Sequence, residues 1–248
     1  MTIDRAVVYP IANGNYNDSN LELIFSLRSI ADNLIEQAIP VFVISEREPM
    51  YLSRDVNFIQ CDGYKDALKK ACLVAKRFLW MNDDIFLLRR HSFEEFSKWV
   101  RKKAEVSPQR VESMSSGGSK WGRRKGKVLS KLRDNGFTAY DYSSHTPYLY
   151  DSAKLAEIME EYDEGYKTPW ETAYGNVHDV ETRDANVLSR YHDGQLVMDP
   201  TSYDLLNYSD DANHSHCRGF LLGKFPKPSR FEDHGTNKLP VTTLDQIK

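Results

Sequence analysis

The chain has 248 residues, of which 40% are hydrophobic and 28% are charged, and its formal net charge is −3. This composition is typical of a globular protein, and it gives no overall attraction to nucleic acid or to membranes. The three cysteines form no Cys-x-x-Cys pair, which disfavours both a disulfide framework and a cysteine-rich zinc site. Because no apolar run is long enough to span a bilayer and no signal peptide is recognised, we predict a cytoplasmic protein.

The first 90 residues alternate between apolar runs typical of buried strands and the 3.6-residue periodicity of helices. A polar segment rich in turn residues, 12–20, follows the first strand, and its Ser19 or Asn20 is a candidate helix cap. The alternation predicts an open α/β sheet flanked by helices, in which ligands bind at the carboxyl ends of the strands. The predicted strands are 6–11, 41–45, 56–60 and 78–81, and the predicted helices are 21–35 and 64–76.

The rest of the chain has weaker patterns, and no boundary separates it from the first part, so we predict a single domain over 1–248. Ser92 and Glu95 have the spacing of a capping box, which predicts a helix at 92–104. Residues 113–126 are rich in Gly, Ser and basic side chains and are interpreted as a mobile loop. The remaining predicted elements are helices at 127–135, 153–162 and 183–191, a strand at 138–142 and an irregular segment after 192.

Two adjacent carboxylates, Asp83 and Asp84, lie between the apolar runs 78–81 and 85–86. Because burial of an unpaired carboxylate is costly, these groups need solvent, a basic partner or a metal ion. Mg²⁺ and Mn²⁺ bind one or two carboxylates together with phosphate oxygens, which suits a nucleotide diphosphate. The alternative is a turn at the end of a strand, for which Asn82 and the two aspartates have suitable geometry.

A series of short motifs extends along the chain: Ile3-Asp4, Val7-Val8-Tyr9, a Gly-Asn loop at 13–18, Leu21-Glu22, Ser26-Leu27-Arg28-Ser29-Ile30, Asn82-Asp83-Asp84-Ile85-Phe86, His145-Thr146-Pro147 and Phe225-Pro226-Lys227-Pro228-Ser229-Arg230-Phe231-Glu232. In these motifs and their order, the chain resembles the nucleotide-sugar transferases of the GT-A type. Among them it is similar to the Stealth-type sugar-phosphate transferases associated with microbial capsules. The chain departs from that family in its short length and in its basic Gly/Ser-rich segment.

The resemblance implies a GT-A fold with a Rossmann-like nucleotide-binding half, a UDP-sugar donor and Mn²⁺ or Mg²⁺ as the cofactor. Asp84 and the late His234 are then the expected metal ligands. Asn82 is expected to contact the donor, and Asp83 to act in catalysis.

Further donor contacts are expected from both ends of the chain. Arg28 is expected to bind a phosphate or, alternatively, to fix a neighbouring carboxylate from within its helix. In this interpretation residues 1–90 form the nucleotide-sugar-binding half and residues 91–248 form the acceptor-binding half. The remaining expected donor contacts are Pro10, Ala12, Asn13, Lys227 and Arg230.

Transfer to an acceptor hydroxyl with inversion requires a general base. Glu171 is a candidate because it follows Trp170, an aromatic residue suited to stacking on a sugar; alternatively, it is a first-turn glutamate favoured by the helix dipole. His145 precedes Thr-Pro in an extended stretch and is a second candidate, with a structural role as the alternative. Asp141, Asp179 and Glu181 are further candidates.

Residues 113–133 contain several basic side chains and no acidic one. Basic groups around an aromatic side chain suit a phosphate backbone and a stacked base, so DNA is a candidate partner. A lid that closes on the phosphates of the donor is the alternative, and the two are compatible. The candidate nucleic-acid-binding residues are Lys120, Trp121, Arg123, Arg124, Lys125 and Lys127.

Together these patterns and the resemblance favour a metal-dependent glycosyltransferase that moves a sugar from a UDP-sugar to an acceptor hydroxyl. One acceptor hypothesis is a hydroxylated pyrimidine base in phage DNA, in which case the protein acts in the host cytoplasm. A second hypothesis keeps the fold and transfers sugar-1-phosphate in capsule or cell-surface polysaccharide synthesis, with release of UMP. A third is a non-catalytic nucleic-acid-binding module, and a fourth is a hydrolase that uses the aspartate pair.

Overall fold

The structure is a computed structural model that describes residues 2–11, 20–99, 105–143, 145–165, 167–180, 187–189, 202–207 and 214–233. Among these residues, no helix combines the length and the apolar character needed to cross a membrane. Ala12, Asn13 and His234, which are expected in the donor and metal sites, lie outside the described residues.

Strands and helices alternate through the first half of the described chain, as the sequence predicts. The strands are β1 (Ile3–Ile11), β2 (Val41–Ser45), β3 (Val56–Gln60), β4 (Ala75–Trp80), β5 (Ile85–Leu87), β6 (Tyr148–Asp151), β7 (Val187–Ser189) and β8 (Leu205–Asn207). The α-helices are α1 (Leu21–Asn33), α2 (Tyr64–Val74), α3 (Pro108–Ser116), α4 (Lys120–Asp134), α5 (Ser152–Glu161), α6 (Trp170–Val177) and α7 (His214–Lys224). A 3₁₀-helix spans Phe93–Lys98.

A five-stranded mixed sheet forms the centre of the fold, in the order β3-β2-β1-β4-β6. The first four of these strands are parallel to one another, and β6 runs antiparallel to β4. The prediction of an α/β fold with an open mixed sheet is thereby confirmed, and the arrangement is compatible with a Rossmann-like fold.

The side chains of β1 contribute to two hydrophobic cores, because neighbouring residues of a strand point to opposite faces of the sheet. Ala6 and Val8 pack in a core shared with α2, α4, α5 and α6. Val7 and Tyr9 pack in a second core shared with α1. All four residues are fully buried. A parallel strand covered on both faces therefore needs a continuous apolar run, which is the pattern that made β1 predictable.

A second sheet, with three strands in the order β5-β8-β7, was not predicted from the sequence. In this sheet β8 runs antiparallel to β5 and parallel to β7. Helix α1 joins it through polar contacts: Ser29 Oγ accepts from the Leu87 amide at 3.0 Å, and Asn33 donates to the Leu87 carbonyl at 2.8 Å. These side chains satisfy buried backbone groups of a strand only three residues long.

Residues 113–126, predicted to be a mobile loop, are largely helical. Ser107 and Ser119 cap α3 and α4, and each side chain accepts a hydrogen bond from an amide three residues further on. A Cβ at Gly126 would lie 2.5 Å from the amide nitrogen of Ser115 in α3. The prediction of a mobile loop is therefore wrong. It is based on glycine as a sign of mobility, but here Gly126 permits two helices to pack closely.

The capping box predicted at Ser92 and Glu95 is confirmed, with both of its reciprocal hydrogen bonds present. The helix that it begins is a short 3₁₀-helix, which ends at Lys98 rather than at 104. Its Phe93 and Phe96 are fully buried against α1 and the sheet.

Three other predictions are wrong where the structure describes the residues. No strand forms over 138–142, where an isolated bridge joins Tyr140 to Glu105. Part of the predicted helix 183–191 is the strand β7, and the region predicted to be irregular contains β8 and α7. The strand segments are short and pair with distant parts of the chain, so local periodicity does not determine them.

Candidate functional site

The carboxyl ends of β1 and β4 meet at the point where the chain connections diverge. From β1 the chain passes through α1 to β2 on one side, whereas β4 is reached from β3 through α2 and lies on the other side. Open α/β sheets bind ligands in the crevice at such a point. Pro10 and Asn82 are half-buried, and each lies two residues beyond the last pair between these strands, Val8 with Trp80. Both are therefore at this edge of the sheet, and contact of either residue with a donor stays a prediction.

Asp83 is held by the residue that caps α1. Asn20 accepts a hydrogen bond from the Leu23 amide at 3.1 Å, and its own amide donates to Asp83 Oδ2 at 3.1 Å. One side chain therefore both starts the helix and orients the acidic motif. The sequence indicates Asn20 as a candidate cap, but its contact with Asp83 is visible only in the structure.

Asp84 is half-buried, and its Oδ1 has no hydrogen-bond partner within the described part of the chain. Burial and, secondly, the negative charge of Asp83 raise the pKa of Asp84 from 3.8 to about 7, although a hydrogen bond from Asn207 opposes the shift. The Asn207 amide also donates to the Asp84 carbonyl at 3.3 Å. The surroundings thus disfavour the charged carboxylate unless a cation lies beside it.

The carboxylates of Asp83 and Asp84 are of the ligand type that hard divalent cations prefer. Mg²⁺ and Mn²⁺ are commonly held by one or two carboxylates, with phosphate oxygens and water as the other ligands. Over the described ranges, no group of three or more His, Cys, Asp or Glu side chains is arranged to hold a metal. A cation here would therefore take its other ligands from the substrate or from outside these ranges, where His234 lies.

Two buried tyrosines lie close enough to Asp83 for its charge to raise the pKa of each phenol, after the larger effect of burial. Tyr9 shares a 3.0 Å hydrogen bond with Ser26, whose hydroxyl donates to the Ile85 carbonyl. Tyr51 is 4% exposed, and its hydroxyl has no partner in the part of the chain that is described. Tyr51 was not predicted as a site residue, because the sequence around it does not indicate that it lies near Asp83.

Arg28 is bound to protein groups through all three nitrogens of its guanidinium. Nε and Nη2 donate to Glu232 Oε1 and Oε2 at 2.9 and 2.7 Å, and Nη1 donates to the Phe225 carbonyl at 2.9 Å. The residue is 6% exposed. Of the two roles considered for Arg28, the geometry supports the fixing of a neighbouring carboxylate and not the binding of a donor phosphate.

Lys227 and Arg230 are exposed on the segment that leads to Asp233. The Asp233 amide donates to the Tyr51 carbonyl at 2.9 Å, which brings this segment to the tyrosine beside Asp83. Arg230 donates to the Gln37 carbonyl. Contact of Lys227 or Arg230 with a diphosphate stays a prediction.

Glu171 lies in the first turn of α6, where the helix dipole favours an acid. Trp170 is 1% exposed and belongs to the core, so the expectation that it stacks on a sugar is wrong. The Glu171 carbonyl accepts from the Tyr148 hydroxyl at 3.0 Å. Because Tyr148 pairs with Trp80, the start of α6 is near the carboxyl end of β4.

His145 is exposed and lies three residues before β6. Because β6 is antiparallel to β4, residues before β6 and residues after β4 lie at the same edge of the sheet. The structure thus brings His145 and Glu171 to the edge that carries the acidic motif. A catalytic role for either residue stays a prediction.

Asp141, a further candidate base, forms a largely buried ion pair with Lys125 at 3.0 Å. Burial raises the pKa of its carboxyl, but hydrogen bonds from Ser143 and the Lys125 charge outweigh burial and lower the pKa below its ordinary value. A carboxylate stabilised in this way is a weak proton acceptor. Asp179 is exposed, and Glu181 lies outside the described residues.

The six candidate nucleic-acid-binding residues fall into two groups according to their contacts. Lys125 is paired with Asp141, and Lys127 lies 3.3 Å from Glu164, so nearby acids neutralise both. The other three basic residues, Lys120, Arg123 and Arg124, have no carboxylate within ion-pair distance among the described residues. With Trp121 they form the second group, and all four side chains are exposed or half-exposed.

Comparison of the chain with protein-family models and with curated proteins gives no match.

Proposed function

We propose that this protein is a metal-dependent glycosyltransferase that binds a UDP-sugar at the carboxyl edge of β1 and β4. The observation that carries the proposal is Asp84, a half-buried carboxylate next to a second carboxylate at the ligand-binding edge of an open sheet. One of its oxygens has no hydrogen-bond partner among the residues that the structure describes. A turn at the end of β4 would explain the aspartates by their backbone preferences, but it would not explain a carboxylate oxygen buried without a hydrogen-bond partner among those residues.

The donor chemistry follows from charge. A divalent cation held by Asp83 and Asp84 would neutralise the diphosphate as the bond to the sugar breaks. The chain's own residues prepare this place: Asn20 orients Asp83, and Asn207 holds the backbone of Asp84. The Tyr51 hydroxyl, which has no partner within the described ranges, supplies one hydrogen-bond donor beside Asp83.

The acceptor side is the part of the same edge formed by the residues before β6 and the start of α6. His145 and Glu171 are the candidate groups there to receive the proton of an acceptor hydroxyl. The two residues belong to different elements, and β6 places both at the same edge of the sheet. This placement supports the assignment of this side to the acceptor.

A donor screen with Mn²⁺ tests the proposal. Release of UDP and of UMP is followed from several UDP-sugars with wild type, with Asp84→Asn and with Asp163→Asn, an exposed carboxylate paired with Lys65, as the matched control. UDP release that needs Mn²⁺ and Asp84, and that survives in Asp163→Asn, supports a glycosyltransferase.

Three different results would redirect or overturn the proposal. UMP release assigns transfer of sugar-1-phosphate. Undiminished release by Asp84→Asn shows that the acidic motif has no part in the reaction. Neither release nor calorimetrically detected binding of any UDP-sugar in the presence of Mn²⁺ would overturn the transferase function.

A further inference from the structure

The helices α3 and α4 form a hairpin around the turn Gly117-Gly118-Ser119 and approach each other closely at Gly126. The apolar side of α4 is directed to the core, where Val128, Leu129 and Leu132 are fully buried. No acidic residue occurs between 113 and 133. Glu112 and Asp134 lie outside this stretch and acids pair with Lys125 and Lys127, so the local positive region is the first turn of α4.

The cations at the start of α4 have no acidic partners in the described part of the chain. Lys120, Arg123 and Arg124 lie within ion-pair distance of no carboxylate there, whereas Lys125, one residue further on, is paired with Asp141. Arg123 donates to the Gly118 carbonyl at 2.6 Å, which fixes it at the helix start. Three positive charges placed in this way within five residues favour a partner with closely spaced negative charges.

Trp121 lies among these cations and is 38% exposed. Large aromatic side chains are usually buried over most of their surface. An exposed indole beside arginines and a lysine suits the stacking of a nucleobase whose phosphates bind the cations.

The hairpin is held rigidly. Ser107 and Ser119 cap the two helices, Gly126 permits their close contact, and the Lys125–Asp141 pair attaches α4 to the segment before β6. A surface fixed in this way loses little conformational entropy when a ligand binds.

A membrane surface is the less suitable partner. A helix that binds in a bilayer interface needs a free apolar face opposite its basic face. In α4 that face is occupied by the core, and Trp121 is the sole exposed large hydrophobic side chain among its described residues.

We propose that the α3–α4 hairpin is a nucleic-acid-binding surface, in which Lys120, Arg123 and Arg124 contact phosphates and Trp121 stacks on a base. The surface uses none of the residues assigned to the donor site. Its binding can therefore be measured without nucleotide-sugar or metal, and its failure is separable from failure of the proposed transferase activity.

The test is fluorescence anisotropy with the full chain and labelled single-stranded and duplex DNA of about 20 nucleotides, at salt concentrations from about 50 to 200 mM. One variant combines Lys120→Gln, Arg123→Gln and Arg124→Gln. Its control, Lys69→Gln with Lys76→Gln and Lys154→Gln, removes the same charge from exposed positions on other elements.

The first variant is expected to bind at least about tenfold more weakly and to lower the salt slope by roughly 2 to 3, as expected for loss of three phosphate contacts, whereas the control binds like wild type. Trp121→Ala is expected to weaken single-strand binding by about fivefold or more, and Trp121→Phe to retain most of it. Unchanged melting temperatures establish that these exposed substitutions leave the fold intact.

Three results would each overturn the proposal. The first is absence of DNA binding by wild type at the lowest salt. The second is equal weakening by the two charge variants. The third is binding of heparin or of anionic phospholipid vesicles as tightly as DNA with no effect of Trp121→Ala, since a merely basic surface would give that result.

Discussion

The guanidinium of Arg28 and the carboxylate of Glu232 form a buried bidentate ion pair between segments 204 residues apart in sequence. The Ser229 amide and hydroxyl also donate to Glu232, at 2.6 and 3.1 Å. The pair fixes the C-terminal described segment on α1, from which that segment continues to Tyr51 beside the acidic motif. A contact remote from the candidate chemistry thus helps to build its surroundings.

Removal of one partner of this pair is expected to destabilise the fold strongly. Glu232→Ala leaves the Arg28 charge buried and unpaired, so the free energy of unfolding should fall by about 3–5 kcal/mol. Urea denaturation measures the change. The double variant Arg28→Met with Glu232→Leu should recover much of the loss, because it leaves no isolated charge.

The matched control for this experiment is Lys76→Gln, which breaks the exposed ion pair with Asp4 and should have almost no effect. A loss below about 1 kcal/mol in Glu232→Ala would show that the buried pair does not hold the two segments together.

Asp84→Asn is expected to stabilise the metal-free protein at about pH 8 by roughly 1–3 kcal/mol, because it removes a charge that the fold disfavours. The pKa of Asp84 is raised from 3.8 to about 7, so ionisation costs stability progressively as the pH rises between these values. The gain should therefore be complete above about pH 7 and absent near pH 4. Urea unfolding in EDTA at both pH values measures it.

Addition of Mn²⁺ completes this comparison: it should raise the melting temperature of wild type and not that of Asp84→Asn. Asp66→Asn is the control, because hydrogen bonds from Lys70 and Asp62 lower the pKa of Asp66 and the opposite sign is expected. Lower stability of Asp84→Asn in EDTA would favour the alternative of a simple turn.

Gly126→Ala is expected to destabilise the α3–α4 hairpin. The new Cβ would lie 2.5 Å from the Ser115 backbone nitrogen, so the helices must move apart at a cost of about 1–3 kcal/mol. Gly122→Ala in the same helix is the control: its Cβ would meet the Ser119 hydroxyl at 3.4 Å, and the higher helix propensity of alanine should add up to about 1 kcal/mol. Equal effects of both substitutions on the melting temperature would contradict the close contact.

Asp141→Asn should lower stability at pH 7 by about 1–3 kcal/mol, because Lys125 and Ser143 lose a charged acceptor. The pKa of Asp141 is below its ordinary value, so its contribution is complete above about pH 4 and disappears as the pH falls through the lowered pKa. Unfolding of wild type and variant at pH 7 and near pH 3 measures the difference. A difference that persists undiminished in acid would assign the effect to packing instead of charge.

The first half of the fold was predictable because its evidence is local. The observed bounds of β2 and β3 are those predicted, at 41–45 and 56–60. Each strand is a compact apolar run, and α1 has clear helical periodicity. The position of Asp83 and Asp84 at the carboxyl edge of the sheet follows from the same evidence, since they come directly after such a run.

The remaining features depend on contacts between distant residues. In the sequence, Ser29 and Asn33 are ordinary polar helix residues, and only the structure shows that they bind the backbone of β5. Likewise, only the structure shows that Asn207 donates to the backbone of Asp84. The sequence leaves the role of Arg28 open, because a guanidinium binds a phosphate and a carboxylate with the same hydrogen-bonding geometry. Its partner is 204 residues away, which no local pattern reveals.

The Arg28–Glu232 pair also bears on how the protein is made. While the ribosome is still synthesising residues before 232, a nascent chain that buries Arg28 does so without its carboxylate, at the energetic cost of an isolated charge. Residues 1–90, although they contain the sheet edge with the acidic motif, are therefore expected to be less stable without the segment that carries Glu232. A transcript truncated before residue 232 is expected to yield a substrate for chaperones and proteases rather than a stable shorter protein.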